Sequence, residues 1–261
     1  MIPIMLTTPQ NILSVISGVI VGFSLGLIGG GGSILAVPLL VYFVGLREPH
    51  IAIGTTALAV GLTALYSIFY HHRAHNVRWP IAIRFAAAGV VGALMGSEFG
   101  KAVSGKHLLF LFALLMLFIA VRMFRGKNAP SAAGTEGRQG QVYLYGCGVG
   151  VLSGFFGIGG GFLIVPALMR SGRLPIINAI GSSLVAVAAL GATTAASYAW
   201  SGLIDWQIAA EYIGGGILGG WLGAMLATRL GHRKSTMRHV FAVIVVIVAC
   251  YMLWKQFNGQ Q

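Results

Sequence analysis

Ten apolar runs, at 11–28, 33–45, 51–70, 80–100, 107–123, 142–158, 161–171, 176–200, 206–230 and 239–257, leave little of this chain able to face water. Backbone N–H and C=O groups in hydrocarbon must find partners within their own segment, which a helix does and an open strand does not. No apolar–polar alternation competes with the helical reading. Only 8% of the 261 residues are charged, against about 25% in average soluble domains, so a water-soluble globule is excluded. The expectation is an all-α integral membrane protein in a lipid bilayer, with about eight to ten membrane segments. Cys147 and Cys250 sit in apolar runs and read as small core residues, not as a disulfide or a metal site. Residues 1–10 carry no Lys or Arg, so no secretory leader is expected and the first segment should be retained.

The chain is an internal duplication. Gly22, Gly26, Gly29, Gly31, Gly32, Leu35, Val37 and Pro38 find identical partners at Gly150, Gly154, Gly157, Gly159, Gly160, Leu163, Val165 and Pro166. Further on, Ala52, Ile53 and Gly54 match Ala179, Ile180 and Gly181, and Trp79 matches Trp206. Gly89, Gly92 and Gly96 match Gly216, Gly219 and Gly223. The division expected is a first membrane repeat over 1–124, a polar cytoplasmic linker over 125–141 and a second membrane repeat over 142–261.

The run after each glycine cluster is too short to span. Runs 33–45 and 161–171 would rise only about 20 Å and about 16 Å as helix, against a hydrocarbon core of about 30 Å. Each repeat should therefore hold a glycine-broken helical hairpin followed by three transmembrane helices. The basic residues favour the same picture. If each hairpin returns to the side it came from, twelve Lys and Arg, in loops 73–78, 122–138, 170–173 and 229–238, fall on one side. Four (Arg47, Lys101, Lys106 and Lys255) fall on the other. If each hairpin instead crosses, the split is seven against nine. Cytoplasmic loops carry the excess of Lys and Arg, so the expectation is two inverted-topology repeats with both termini outside. The net charge of +12 thus reports topology, and nucleic-acid binding is not expected.

Candidate binding residues follow from the duplication. Gly29, Gly30, Gly31, Gly32 and Ser33 in one half, and Gly157, Gly159, Gly160 and Gly161 in the other, allow irregular backbone with uncovered N–H groups. Helices starting just after them add positive dipole ends, and inverted repeats would bring both ends to a midplane site suited to a small anion. Close helix packing through small residues is the competing reading. The runs lack the Gly-Lys-Ser/Thr ending of a phosphate loop. Thr55, Thr56, Ser182 and Ser183 hold matched places and could donate to an oxyanion, or back-bond to helical carbonyls. Asn178 is a weaker candidate. Scarce intramembrane charge singles out Arg84, Glu98 and Glu211 for coupling or charge roles, with snorkelling and interfacial solvation as the plainer readings.

Other chemistries find little. His71, His72 and His75 lack acidic or Cys partners for a metal, and no cofactor is expected. The residues for an intramembrane protease do not assemble: Val151 breaks a Gly-x-Ser-Gly pattern at Ser153, and Asp205 alone cannot supply an aspartyl pair. An enzyme is not expected. The segments from Gly92 to Gly100 and from Gly219 to Gly223 are small-residue packing faces that leave room for a homodimer.

The paired glycine motifs closing on Pro38 and Pro166, with the matched Thr55/Thr56 and Ser182/Ser183, resemble the TauE/SafE family of sulfite exporters. The resemblance runs from about residue 11 to 257. It implies a bacterial inner-membrane or archaeal permease moving sulfite or small organosulfur anions outward, driven by a proton or sodium gradient. It also implies that the glycines and hydroxyls just named inherit the family motif's role. Gly30 facing Ile158 is a departure that makes the two clusters unequal. A channel-like or scaffold membrane protein without coupled transport is the alternative.

Overall fold

A computed structural model describes residues 8–125, 139–157, 159–229 and 234–258. The described residues form helices and turns, with no strand among them. Chain order runs α1 (Thr8–Ile28), a 3-10 turn (Gly29–Leu35), the short α2 (Ala36–Pro38), a π turn (Leu39–Phe43), α3 (Pro49–Arg73), α4 (Trp79–Ala102) and α5 (Gly105–Arg125). The second half holds α6 (Gln139–Phe156), α7 (Gly161–Ser171), α8 (Ile176–Trp200), α9 (Trp206–Arg229) and α10 (Lys234–Asn258). Most of the expected linker, 126–138, lies outside the described residues; Arg125 still belongs to α5, and α6 already begins at Gln139.

Four described helices are long and apolar enough to cross a membrane by length and composition: Pro9–Ile28, Pro49–Arg73, Trp79–Ala102 and Ile176–Trp200. Shorter apolar helices include Gly32–Phe43, Gly105–Val121 and Gly161–Ser171. The breaks fall where the glycines stand. α1 stops at Gly29 (φ 77°) and α6 stops before Gly157 (φ 66°), both in the left-handed region that glycine enters without penalty. The two halves break unequally. The first continues through 3-10, α and π turns, while the second resumes as an 11-residue α-helix with Pro166 inside it.

Glycine stripes set how the helices stack. Gly18, Gly22 and Gly26 of α1 lie on the backbone of Tyr212, Gly216 and Gly220 of α9, in rising order, so these helices run parallel. Gly92, Gly96 and Gly100 of α4 lie in the same way on Cys147, Val151 and Phe155 of α6. With no Cβ on the glycine side of each contact the backbones approach closely, and dispersion replaces the hydrophobic driving force that lipid removes. The first half's α1 thus pairs with the second half's α9, and α6 with α4. At the centre α3 packs on α8 the other way round. Gly54 near the start of α3 meets Tyr198 at the far end of α8 and Leu203 just beyond it, whereas Gly61 meets Gly191 and Ala192. α3 and α8 are therefore antiparallel.

Between these helices lies a continuous core that includes Leu25, Ile34, Ile53, Val60, Phe85, Ile164, Val187 and Leu190. The outward faces are also apolar, with Leu65, Phe99, Phe118, Leu144 and Ile247 exposed. Trp79, Trp200, Trp206 and Trp254 stand exposed at helix ends, as interfacial aromatics do in a bilayer.

Candidate functional site

The two glycine turns meet between α3 and α8, and each rests on the other half. A Cβ on Gly29 would fall 2.8 Å from Ile180 Cγ2 of α8, and one on Gly157 would overlap Ile53 Cγ2 of α3. Ile53 and Ile180 are themselves matched positions, so the contact is reciprocal. Gly159 (φ 62°) sits between Val60 and Val187, another matched pair, with both Cγ1 atoms 3.2 Å from where its Cβ would be. Each turn also doubles back on the helix before it: Gly32 onto Ser24 and Leu25, Gly160 onto Ser153. Gly30 and Gly31 continue the first turn, and Gly161 opens α7. Gly29, Ser33 and Gly161 are buried.

The four matched hydroxyls lie buried at the starts of α3 and α8, beside these turns, and each bonds to a backbone group. Thr55 Oγ1 accepts from the Asp205 N–H at 3.0 Å, and Ser182 Oγ accepts from the Arg78 N–H at 2.9 Å. Each hydroxyl therefore anchors the chain entering a helix of the opposite half, α9 or α4. Thr56 donates to Ala52 and Ile53 carbonyls (2.7 and 3.1 Å), and Ser183 to the Ile180 carbonyl (2.7 Å). Asn178 donates to the Asn76 carbonyl at 3.4 Å.

Ser153 went unnoticed in the sequence as a binding residue. It is fully buried, its Oγ has no hydrogen-bond partner, and it lies 3.1 Å from where a Gly160 Cβ would be. A buried hydroxyl without a partner costs about 1–3 kcal/mol. Its counterpart by alignment is Leu25, so the duplication gives it no signal.

The charged candidates take their partners away from the turns. Glu98 pairs with Lys101 at 2.7 Å and accepts from Ser197 at 3.0 Å, at an exposed end of α4 and α8. Ser97 and Ser197 hydroxyls meet there at 3.0 Å, and Lys101 reaches Ser201 at 3.1 Å. Glu211 accepts from Gln207 at 3.3 Å through Oε1, while its Oε2 is buried without a partner. Arg84 is half-buried and lines a cavity near the start of α4. Among the described residues, no group of three or more His, Cys, Asp or Glu could hold a metal.

Among the described residues, long helices with apolar outward surfaces surround a buried crossing of broken segments, and together they define a multi-pass membrane protein of the transporter class. A family model described as sulfite exporter TauE/SafE matches residues 14–252, and the chain belongs to that family. This is a family of membrane transporters and not of enzymes. A relative from Xylella fastidiosa (strain 9a5c), named "Probable membrane transporter protein", is 48% identical, covering 97% of this chain and 98% of its own. YunE of Bacillus subtilis, with the same description, is 26% identical over 94% and 97% of the two chains. A Haemophilus influenzae relative is 27% identical over 94% and 98%. No solved structure matches.

Proposed function

We propose that this protein is a secondary transporter that exports sulfite or small organosulfonates by alternating access around the crossing of the two glycine turns. The observation that carries the reading is the reciprocal contact of Gly29 with Ile180 and Gly157 with Ile53, at matched positions of antiparallel α3 and α8. A two-fold axis lying in the membrane plane turns a helix end over end; one along the membrane normal would leave α3 and α8 parallel. The antiparallel crossing thus supports inverted repeats. So do helix directions: α1, α3 and α9 run one way, α4, α6 and α8 the other. On this reading both ends of the chain lie outside and the loop after α5 lies in the cytoplasm, in the inner membrane.

Ser33, Thr55, Thr56, Ser182 and Ser183 are fully buried, so an anion must enter through a motion that parts the turns. In the opened state backbone N–H groups at the start of the Gly29–Leu35 turn and around Gly159–Gly160, once freed from their neighbours, would donate to a small oxyanion together with the Ser153 hydroxyl, without a fixed cation. Such a site binds weakly enough to release on the far side.

The test is efflux from proteoliposomes. Sulfite and sulfoacetate should move, and an imposed proton or sodium gradient should change the rate. Gly159→Val should abolish flux with insertion retained. Flux indifferent to both gradients would instead describe a channel, and no flux of any such anion by folded protein would remove the reading.

A further inference from the structure

The starts of α4 and α9 are matched positions, and they carry opposite charge. Arg78 stands where the second half has Asp205, and Arg84 where it has Glu211. In the second half the helix start is satisfied from within, because Gln207 and Ile208 N–H groups donate to Asp205 Oδ1 at 3.1 and 3.0 Å. In the first half an arginine cannot accept. Arg78 makes no side-chain cap, Pro80 has no N–H, and Ile81, the counterpart of Ile208, meets no carboxylate from residue 78.

A cavity of about 230 Å³ opens at this uncapped end, lined by Arg78, Ile81, Arg84, Gln139, Val142 and Gly172. Among the described residues neither guanidinium has a carboxylate partner. The space would hold several waters at about 30 Å³ each, or one small anion. Topology alone asks for positive charge on this side, and Arg73 supplies that as well. It does not ask for two guanidiniums around one cavity, one of them half-buried, beside an open helix end. Nor does the fold need arginine here, since the matched positions carry carboxylates.

We propose that the Arg78–Arg84–Gln139 pocket is an oxyanion-binding site, in which a sulfonate, sulfite or phosphate group occupies the place that the Asp205 carboxylate fills in the other half. Two planar forks give bidentate contacts to such a group, and the helix dipole adds to them. The group comes either from a free anion or from an anionic lipid headgroup. On the transport reading this pocket is where an anion first meets the protein; binding itself does not depend on that reading.

The experiment is binding of sulfoacetate to the purified, delipidated chain, by titration calorimetry, beside native mass spectrometry after incubation with phosphatidylglycerol. Arg78→Gln and Arg84→Gln should each weaken sulfoacetate binding about tenfold or more, with thermal unfolding unchanged. Arg84→Lys, which keeps the charge and loses the fork, should weaken it too. Arg73→Gln, which removes an exposed charge stacked on Phe69, should leave it as it was. If sulfoacetate is indifferent to the arginines but a phosphatidylglycerol adduct is lost with either, the site stands as a headgroup site. Binding of both probes unaltered in the two Gln variants overturns the proposal, as does an equal loss in Arg73→Gln. Intact binding in a protein without flux would separate failure of the transport reading from failure of this one.

Discussion

Thr55 and Ser182 illustrate how one residue type at one place can be read two ways. In the sequence their matched hydroxyls suit an oxyanion; in the fold each accepts a backbone N–H from the opposite half. Thr55→Val keeps the shape and strands the Asp205 N–H, so it should lower stability by about 1–3 kcal/mol, read as a drop in melting temperature. Ser153→Ala removes a hydroxyl that has no partner. It should leave the melting temperature unchanged or raised while cutting anion efflux severalfold; full efflux would remove Ser153 from the anion's path. Gly157→Ala meets both a positive φ and the Ile53 side chain, and should lose about 1–2 kcal/mol or more. Gly148→Ala, with nothing within 4 Å of the new methyl, should stay within about 1 kcal/mol of the parent in the same melting assay. The sequence singled out Gly29 and Gly157 correctly as breaks, because a repeated glycine is a backbone signal. It could not separate hydroxyls that face substrate from hydroxyls that face a neighbouring helix end, since that depends on which helix arrives 150 residues later.

Helix identity was legible at the scale of elements. Run 176–200 is α8 and run 161–171 is α7 to the residue, because length, Pro and Gly punctuate apolar helices without help from tertiary contacts. The form of the first break was not. Four glycines in a row leave 3-10, α and π turns close in energy, and packing against α1 and α7 decides among them. Where the C-terminal ends of α4 and α8 meet, the Ser97 and Ser197 hydroxyls are 3.0 Å apart. With Cys147 and Cys250 replaced, the double variant Ser97→Cys, Ser197→Cys should close a disulfide between the halves. If the halves rock against each other, oxidation should stop efflux and reduction should restore it. Efflux unchanged by a complete disulfide would place the moving boundary elsewhere.

For the molecule as a whole, the clearest test is topological. Reporter fusions at Gln261 and within 126–138 should land on opposite sides of the membrane, and the same side for both would contradict inverted repeats. The reciprocal packing of α1 on α9 and of α4 on α6 carries a further implication, which concerns the order of synthesis. When α1 leaves the ribosome, its glycine face has no neighbour until α9 has been made, some 180 residues afterwards. The first half must therefore wait in the bilayer, inserted but incompletely assembled, and stay exposed to quality-control proteases through most of translation. Two separate polypeptides divided within 126–138 should each be short-lived when made alone and persist when made together, as pulse-chase labelling would show.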